Sequence, residues 1–243
     1  MKKRHLFSKL ILITVLLLLG ILFVAKFGGP SLLRMYIKNG VGSCEKIPIL
    51  CMQPEKKIIG LGVNKKYLAE LIPYKSPRMS LAIPKGFNVT QETIKKVYYK
   101  KAKHKHPGSI IYLLCKEPKF FINLFPQIAR HGINDDYEFI KHTMFANLNT
   151  IKDLTDAFFV IMKGVFIPDL GDQKNVKMAE FAIADKKGFI NYNLGDLENY
   201  FDCNIISEQG KFFKMYIKDK GGSLDLNKVL TIISTAKAAS QAQ

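Results

Sequence analysis

Several signatures of familiar enzymes are missing from this sequence. The 243-residue chain has no serine nucleophile elbow, no phosphate-binding glycine loop and no metalloprotease helix. These absences remove the sequence support for a serine hydrolase, a P-loop nucleotide enzyme or a zinc protease. We therefore expect a non-enzymatic role, with no catalytic residues and no cofactor.

Acidic residues are scarce in the first half of the chain. Residues 1–116 contain 4 Asp and Glu against 22 Lys and Arg, whereas residues 117–243 contain 16 against 15. The net charge of +17 therefore belongs almost entirely to the first half. An excess of positive charge of this size attracts anionic partners. The alternative is a lysine-rich surface that serves solubility alone.

The positive charge is densest in one short run, which we call the basic patch. Two tyrosines, Tyr98 and Tyr99, lie inside it. Its lysines are Lys95, Lys96, Lys100, Lys101, Lys103 and Lys105. Basic residues mixed with aromatic ones are typical of nucleic-acid binding. An extracytoplasmic location argues against nucleic acid, so an anionic lipid or a glycopolymer is the expected partner, and a solvated basic turn is the alternative.

Cysteine is also sparse, with four residues that are all disulfide candidates. Cys44 and Cys51 enclose a short loop and predict a local disulfide, as expected in an oxidising compartment. Cys115 and Cys203 each lie on a predicted strand and form either a second bridge or two buried thiols. No pair has the two-residue spacing of a zinc knuckle, so no metal site is expected.

One long apolar run is present near the start of the chain. It extends from Leu10 to Ala25 and follows a basic tail over residues 1–9. The pattern predicts a transmembrane signal anchor over residues 10–27, and a cleaved signal peptide is the alternative. The charge bias then places the amino terminus in the cytoplasm and the main domain in the periplasm or at the cell surface.

After the anchor, residues 28–76 read as a membrane-proximal neck. Helical periodicity predicts an amphipathic helix over residues 31–39, and a second short helix runs from Lys65 to Leu71. A compact α+β extracytoplasmic domain is expected over residues 77–237, followed by a flexible tail over 238–243.

The domain itself begins with a mixed pattern. Alternation predicts a strand from Arg78 to Pro84, and a further apolar run predicts a strand from Ser109 to Cys115. Between them, a capping Thr90 and an apolar stripe predict a helix that continues to Lys103.

The middle and the end of the domain differ in their periodicity. Helices are predicted after Pro118, after Asn134 or Asp135, and after Asp153, with a split of the first at Pro126. An antiparallel meander follows, with a last helix that is capped by Asp225. In the return strand of the meander, the side chains that face the core are Phe213, Met215 and Ile217. Those that face outward are Lys214, Tyr216 and Lys218.

These elements predict an α+β fold class: an N-terminal transmembrane helix, then an antiparallel β-sheet domain with helices packed against it. The segment Ser80–Phe87 (SLAIPKGF), the later meander and the terminal helix resemble the PsbP-like fold over about residues 77–237. The resemblance implies a small extracytoplasmic or lumenal domain, and no functional residue follows from it.

Two functions are compatible with these observations. The first is a membrane-anchored, non-enzymatic domain of binding or accessory-subunit type that acts with a protein partner in the envelope. The second is an envelope ligand carrier or enzyme with an apolar pocket that is lined by the helical middle.

Overall fold

The computed structural model describes residues 28–60, 62–76, 79–93, 96–101, 108–168, 170 and 173–238. The described chain divides into two compact units. The first unit consists of residues 28–51 and 146–164, and the second of residues 52–145 and 165–238.

The predicted fold class needs one correction, which concerns the transmembrane helix. Among the described residues, no helix combines the length and apolar character that a membrane crossing requires. Helix α1 (Gly29–Gly40) has 12 residues and carries Arg34 and Lys38. Its length of about 18 Å compares with roughly 30 Å of hydrocarbon. The fold class of the described chain is thus α+β with antiparallel sheets, and the predicted span over residues 10–27 lies outside the described residues.

The first unit is built around α1, which confirms the helix predicted over residues 31–39. A 3₁₀ turn (Pro48–Cys51), a second 3₁₀ turn (Leu148–Thr150) and the part of helix α5 (Leu154–Phe166) up to Gly164 complete it. Its buried apolar residues are Ile37, Leu50, Leu148, Ile151, Ala157 and Val160. The Arg34 guanidinium joins two segments of this unit, because it donates to the Ile151 carbonyl oxygen at 2.9 Å.

The second unit contains an eight-stranded sheet in the spatial order β1-β7-β8-β9-β10-β6-β5-β4. Strand β1 is parallel to β7, and every other neighbouring pair is antiparallel. Its strands are β1 (Glu55–Ile59), β4 (Phe87–Thr93), β5 (Lys96–Lys101), β6 (Ile110–Lys116), β7 (Lys177–Ile183), β8 (Lys186–Leu194), β9 (Glu198–Ser207) and β10 (Phe212–Lys220). A 3₁₀ turn (Gln173–Asn175) precedes β7.

A smaller sheet and two helices cover one face of the large sheet. The small sheet has the order β11-β3-β2, and its strands are β2 (Ile72–Lys75), β3 (Met79–Ile83) and β11 (Lys237–Ala238). Helix α2 (Lys65–Glu70), as predicted, is capped by Asn64, and helix α6 (Leu226–Ser234) is capped by Asp225. The core includes Leu81 of β3, Ile232 of α6 and Met215 of β10, all almost fully buried.

The meander that closes the domain confirms the predicted alternation. Phe213, Met215 and Ile217 are all buried in the main core. Strands β9 and β10 pair without a register shift along their whole length, from Phe212 opposite Ile206 to Lys220 opposite Glu198. This regular pairing follows from side chains that alternate with a period of two.

The helical middle contains α3 (Phe120–Leu124), a 3₁₀ turn (Pro126–His131) and α4 (Asp136–Phe145). The split at Pro126 is confirmed. Asp136 has a role that the sequence did not predict, because its carboxylate accepts from the backbone N–H groups of Phe120 and Phe121 at 2.7 and 2.8 Å. Asp136 therefore ties the start of α3 to the first turn of α4, and burial raises the pKa of its carboxyl.

One predicted element is wrong. The segment expected to form a helix from Thr90 to Lys103 instead forms β4 and β5, which pair as an antiparallel hairpin with Phe87 opposite Lys101. Strand β5 also pairs with β6, from Lys96 opposite Leu114 to Lys100 opposite Ile110. The segment is rich in β-branched and aromatic residues, and pairing with an existing sheet edge satisfies backbone groups that a helix would satisfy locally.

Candidate functional site

The cysteines separate into one bridge and two thiols. Cys44 and Cys51 form a disulfide with Cα atoms 5.6 Å apart, as the sequence predicts. Cys115 and Cys203 are not joined to each other. Cys203 is completely buried in the main core, and burial raises the pKa of its thiol well above the usual value. A thiol in this state is a packing residue and a poor nucleophile.

The basic patch is only partly within the described chain. Lys95, Lys103 and Lys105 lie outside the described residues, and the other three lysines belong to β5. The backbone register places Lys96 and Lys100 opposite Leu114 and Ile110, on the sheet face that points away from the main core.

That face carries a row of tyrosines that no linear motif reveals. Tyr98 of β5 pairs with Tyr112 of β6, and Tyr112 pairs with Tyr216 of β10. Directly paired residues share a face, and neighbouring strands are about 4.8 Å apart. The three positions therefore form a row of roughly 10 Å across three strands. Tyr112 and Tyr216 are half-buried, so each ring presents part of its surface to solvent.

Lysines and a fourth tyrosine form the next row. Lys100 and Lys218 both pair with Ile110, and Lys218 pairs with Tyr200 of β9 on its other side. We call this surface the tyrosine–lysine face. It comprises Tyr112, Tyr200, Tyr216 and Lys218 together with the register positions of Tyr98 and Lys100.

Glu198 holds the charged side chains of this face in place. It accepts a hydrogen bond from the Tyr200 hydroxyl, and the ammonium groups of Lys218 and Lys220 lie 3.1 and 3.4 Å from its carboxylate oxygens. The hydrogen bond from Tyr200, followed by that from Lys218, lowers the pKa of Glu198 to about 2. The Lys218 ammonium also lies 5.1 Å from the centroid of the Tyr200 ring. The single carboxylate of Glu198 thus positions two lysine side chains, and one positive charge remains in excess.

Where the helical middle covers this face of the sheet, its polar side chains are largely buried. Asp202 is fully buried, and the Lys214 ammonium lies 2.6 Å from one of its carboxylate oxygens. Lys214 also donates to the Asn204 side chain at 3.1 Å and to the Phe166 carbonyl at 3.0 Å. Burial raises the pKa of Asp202. The sequence assigns Lys214 to the outward row correctly, but here that row lies beneath helices and Lys214 forms a buried ion pair.

A second buried lysine belongs to the first unit. Lys163 of α5 has no exposed surface, and its ammonium donates to the Ala146 carbonyl at 2.8 Å. Burial lowers its pKa to about 7. A lysine with this pKa has the chemistry of a general base, but a side chain that solvent does not reach cannot meet a substrate.

The described residues offer no other reactive constellation. None of them forms a group of three or more His, Cys, Asp or Glu side chains that would hold a metal ion. Asp135 and Asp136, which lie near His131 and His142 in the sequence, both bind backbone N–H groups at helix starts. The tyrosine–lysine face is therefore the arrangement with the clearest binding chemistry.

Comparisons with known proteins place the chain in no family. No family model and no curated protein matches it. A crystal structure of a protein from Bacteroides thetaiotaomicron is similar over 72% of this chain at 8% identity, with a TM-score of 0.33. The chain spans half the length of that protein. The resemblance to the PsbP-like fold remains a prediction.

Proposed function

We propose that this protein is a non-enzymatic binding domain and that the tyrosine–lysine face binds an anionic glycopolymer. The observation that carries the proposal is the register of β5, β6 and β10, which aligns the positions of three tyrosines in one row and of two lysines in the next. The partly exposed side chains of Tyr112, Tyr216 and Lys218 share this face, and they suit a polymer with both apolar and anionic surfaces.

The tyrosine row and the lysine row are expected to bind different parts of the ligand. The C–H faces of sugar rings bury apolar surface when they pack on tyrosine rings, and tyrosine keeps a hydroxyl for hydrogen bonds. The lysines attract the anionic groups through a field that extends about 8 Å at physiological ionic strength. Lys218 is well suited to this role because its ammonium is held near the Tyr200 ring and the side chain is 27% exposed.

The disulfide supports an oxidising, extracytoplasmic compartment. Cys44–Cys51 links residues of the first unit, and such bridges persist mainly in secreted or periplasmic proteins. Glycopolymers are abundant in that environment, whereas nucleic acid belongs to the reducing cytoplasm. An oxidising compartment therefore favours a glycopolymer over nucleic acid, although nucleic acid would fit the same aromatic and basic chemistry.

The alternative of a ligand pocket within the helical middle has less support. The rings of Phe121, Phe139 and Phe166 have centroids 4.7 to 6.2 Å apart and pack on one another. Rings at these distances fill the space that a carrier would need to keep open.

A matched pair of polymers tests the proposal. Dextran sulfate is expected to bind and to weaken as salt rises, whereas uncharged dextran of the same length is expected to bind far less. The double variant Tyr112→Thr/Tyr216→Thr should weaken dextran sulfate binding about tenfold. Lys218→Gln should weaken it by about threefold, with a smaller salt dependence. Titration calorimetry at low and high salt measures each of these affinities.

Lys46→Gln, at an exposed lysine of the first unit, is the control and should bind like the unaltered protein. Single-stranded DNA and phosphatidylglycerol vesicles complete the set of ligands. Tighter binding to DNA or to vesicles than to dextran sulfate would contradict the proposal. So would a tyrosine double variant that folds, as judged by circular dichroism, and binds dextran sulfate at full strength.

A further inference from the structure

The first unit is small, and two separate segments of the chain form it. Residues 28–51 and 146–164 meet around a core that includes Ile37 and Leu50. The unit is close to the size of roughly 40 residues below which a domain usually needs a disulfide, a metal or a partner to be stable. Within this unit, the Cys44–Cys51 bridge supplies such a constraint.

The loop that the bridge closes makes contacts between the two segments. Leu50, directly before Cys51, is fully buried in a core cluster that also contains Leu148 and Val160. The Cys51 carbonyl oxygen accepts a hydrogen bond from the Asn147 side chain at 2.8 Å. Both half-cystines also pack against this core. Without the bridge, the loop has more conformational freedom to lose before it can make these contacts.

The packing around the loop is close, and it includes a buried charge. A β-carbon at Gly164 would lie 3.3 Å from side-chain atoms of both Leu50 and Val41. Displacement of Leu50 would therefore leave a cavity beside α5, which lowers stability. Lys163 is fully buried, and its ammonium donates to the Ala146 carbonyl at 2.8 Å. Burial of an ammonium costs free energy even when it is hydrogen-bonded, so the first unit has a further reason to depend on its bridge.

The second unit has its own core, and the two cysteines in it are not bridged. Cys115 and Cys203 both belong to strands of the large sheet, whose core also includes the small sheet and two helices. Reduction of the protein therefore removes a constraint from the first unit alone. Cys44 and Cys51 are each partly exposed, so a reductant in solution reaches the bridge.

We infer that the first unit is a redox-conditional module: reduction of Cys44–Cys51 shifts it toward an open state while the second unit stays folded. In the reductive step, a thiolate of a dithiol reductant attacks one sulfur of the bridge and forms a mixed disulfide. The second thiol of the reductant then displaces the protein sulfur. The protein thereby gains two electrons and two thiols, and the reductant leaves as its own disulfide. The inference is independent of the glycopolymer proposal, because the tyrosine–lysine face belongs to the second unit.

Amide hydrogen exchange of the full chain, before and after reduction by dithiothreitol, tests the inference. The amides of Val41 and Leu50 donate to the carbonyls of Ile37 and Ile47. Both are expected to exchange about 50-fold faster after reduction, because a bridge across a short loop shifts an opening equilibrium by roughly this factor. Amides of β9 and β10 should keep their exchange rates. Reoxidation with oxidised glutathione should restore slow exchange in the first unit.

The double variant Cys44→Ser/Cys51→Ser should reproduce the fast exchange without any reductant. Cys115→Ser, at an unbridged cysteine of the second unit, is the matched control and should leave exchange in the first unit unchanged. Unaltered protection of Val41 and Leu50 after reduction would overturn the inference. Equal acceleration in β9 and β10 would also overturn it, because the bridge would then stabilise the whole chain rather than one unit.

Discussion

The two faces of the β9–β10 pair carry very different chemistry although the same strands form both. One face consists of Phe201, Cys203, Ile205 and their partners on β10, all buried in the main core. The opposite face alternates charged, amide and aromatic side chains, and only part of it is open to solvent. The comparison shows that a strand pattern identifies the two faces, whereas the layer above each face decides what its polar residues do.

Within the polar face, a second contrast appears over a short distance. Lys218 and Tyr200 are partly exposed and meet solvent, whereas Lys214 and Asp202, four and two residues away along their strands, lie beneath the helical middle. Both lysines pair with a carboxylate, but only the buried pair has to replace the water that it lost. Three changes test this difference, in order of decreasing effect.

Removal of Lys214 should have the largest effect on stability. Lys214→Met leaves the Asp202 carboxylate buried without its ammonium, which should lower the free energy of unfolding by about 3–5 kcal/mol. The double variant Lys214→Met/Asp202→Leu should recover most of this loss, because no unpaired charge remains. Urea denaturation followed by circular dichroism measures both. A loss below 1 kcal/mol for the single variant would show that Asp202 is already neutral in the folded protein.

Truncation on the apolar face should have a comparable or slightly smaller effect. Met215, next to Lys214 in sequence, is fully buried between Ile217 and Phe213 on the core side. Met215→Ala should lower the free energy of unfolding by about 2–4 kcal/mol, since it removes buried apolar atoms and leaves a cavity. Unlike the loss at Lys214, this loss should not depend on pH between 5 and 8, since no titrating group is involved. A strong pH dependence of the Met215→Ala loss would contradict this interpretation.

Glu198, on the exposed part of the polar face, should give the smallest effect, which is seen as a change in how stability depends on pH in acid. The pKa of Glu198 is lowered to about 2 in the folded protein from an ordinary value of 4.5. Its contribution to stability is therefore present above pH 4.5 and disappears as the pH falls toward 2. In Glu198→Gln, the melting temperature should fall less steeply over this range. The effect is small because Glu198 is partly solvated. An identical acid slope in both proteins would show that Glu198 does not hold Lys218 in solution.

The sequence predicts elements best where local signals agree. The meander, the cap at Asp225, the split at Pro126 and the Cys44–Cys51 bridge all rest on residues close together in the chain, and all are present. The sequence predicts a helix at the β4–β5 hairpin because the stripe of apolar positions in this segment also fits a helical period. Pairing with β6, a non-local contact, decides between the two.

The candidate site could not be predicted from the sequence alone, because its residues come together only in the fold. The lysines near residue 100 and the tyrosines at 98, 112 and 216 are visible in the sequence, but their alignment depends on the register of three strands. The predicted transmembrane span has no counterpart among the described helices, and the basic helix α1 is too short for that role. The available sequence signal was the outward position of Tyr216 and Lys218 on the return strand.

By itself the sequence determined the alternation of strands, the helix ends and the short disulfide loop, because each depends on neighbours within a few residues. Only the tertiary structure decided that Lys214 forms a buried ion pair with Asp202, whereas Lys218 remains in contact with solvent. It also decided that tyrosines distant in the sequence lie in one row. The reason is physical: burial and cross-strand pairing are properties of the layers that meet in space, and no local pattern encodes which layer will cover a given residue.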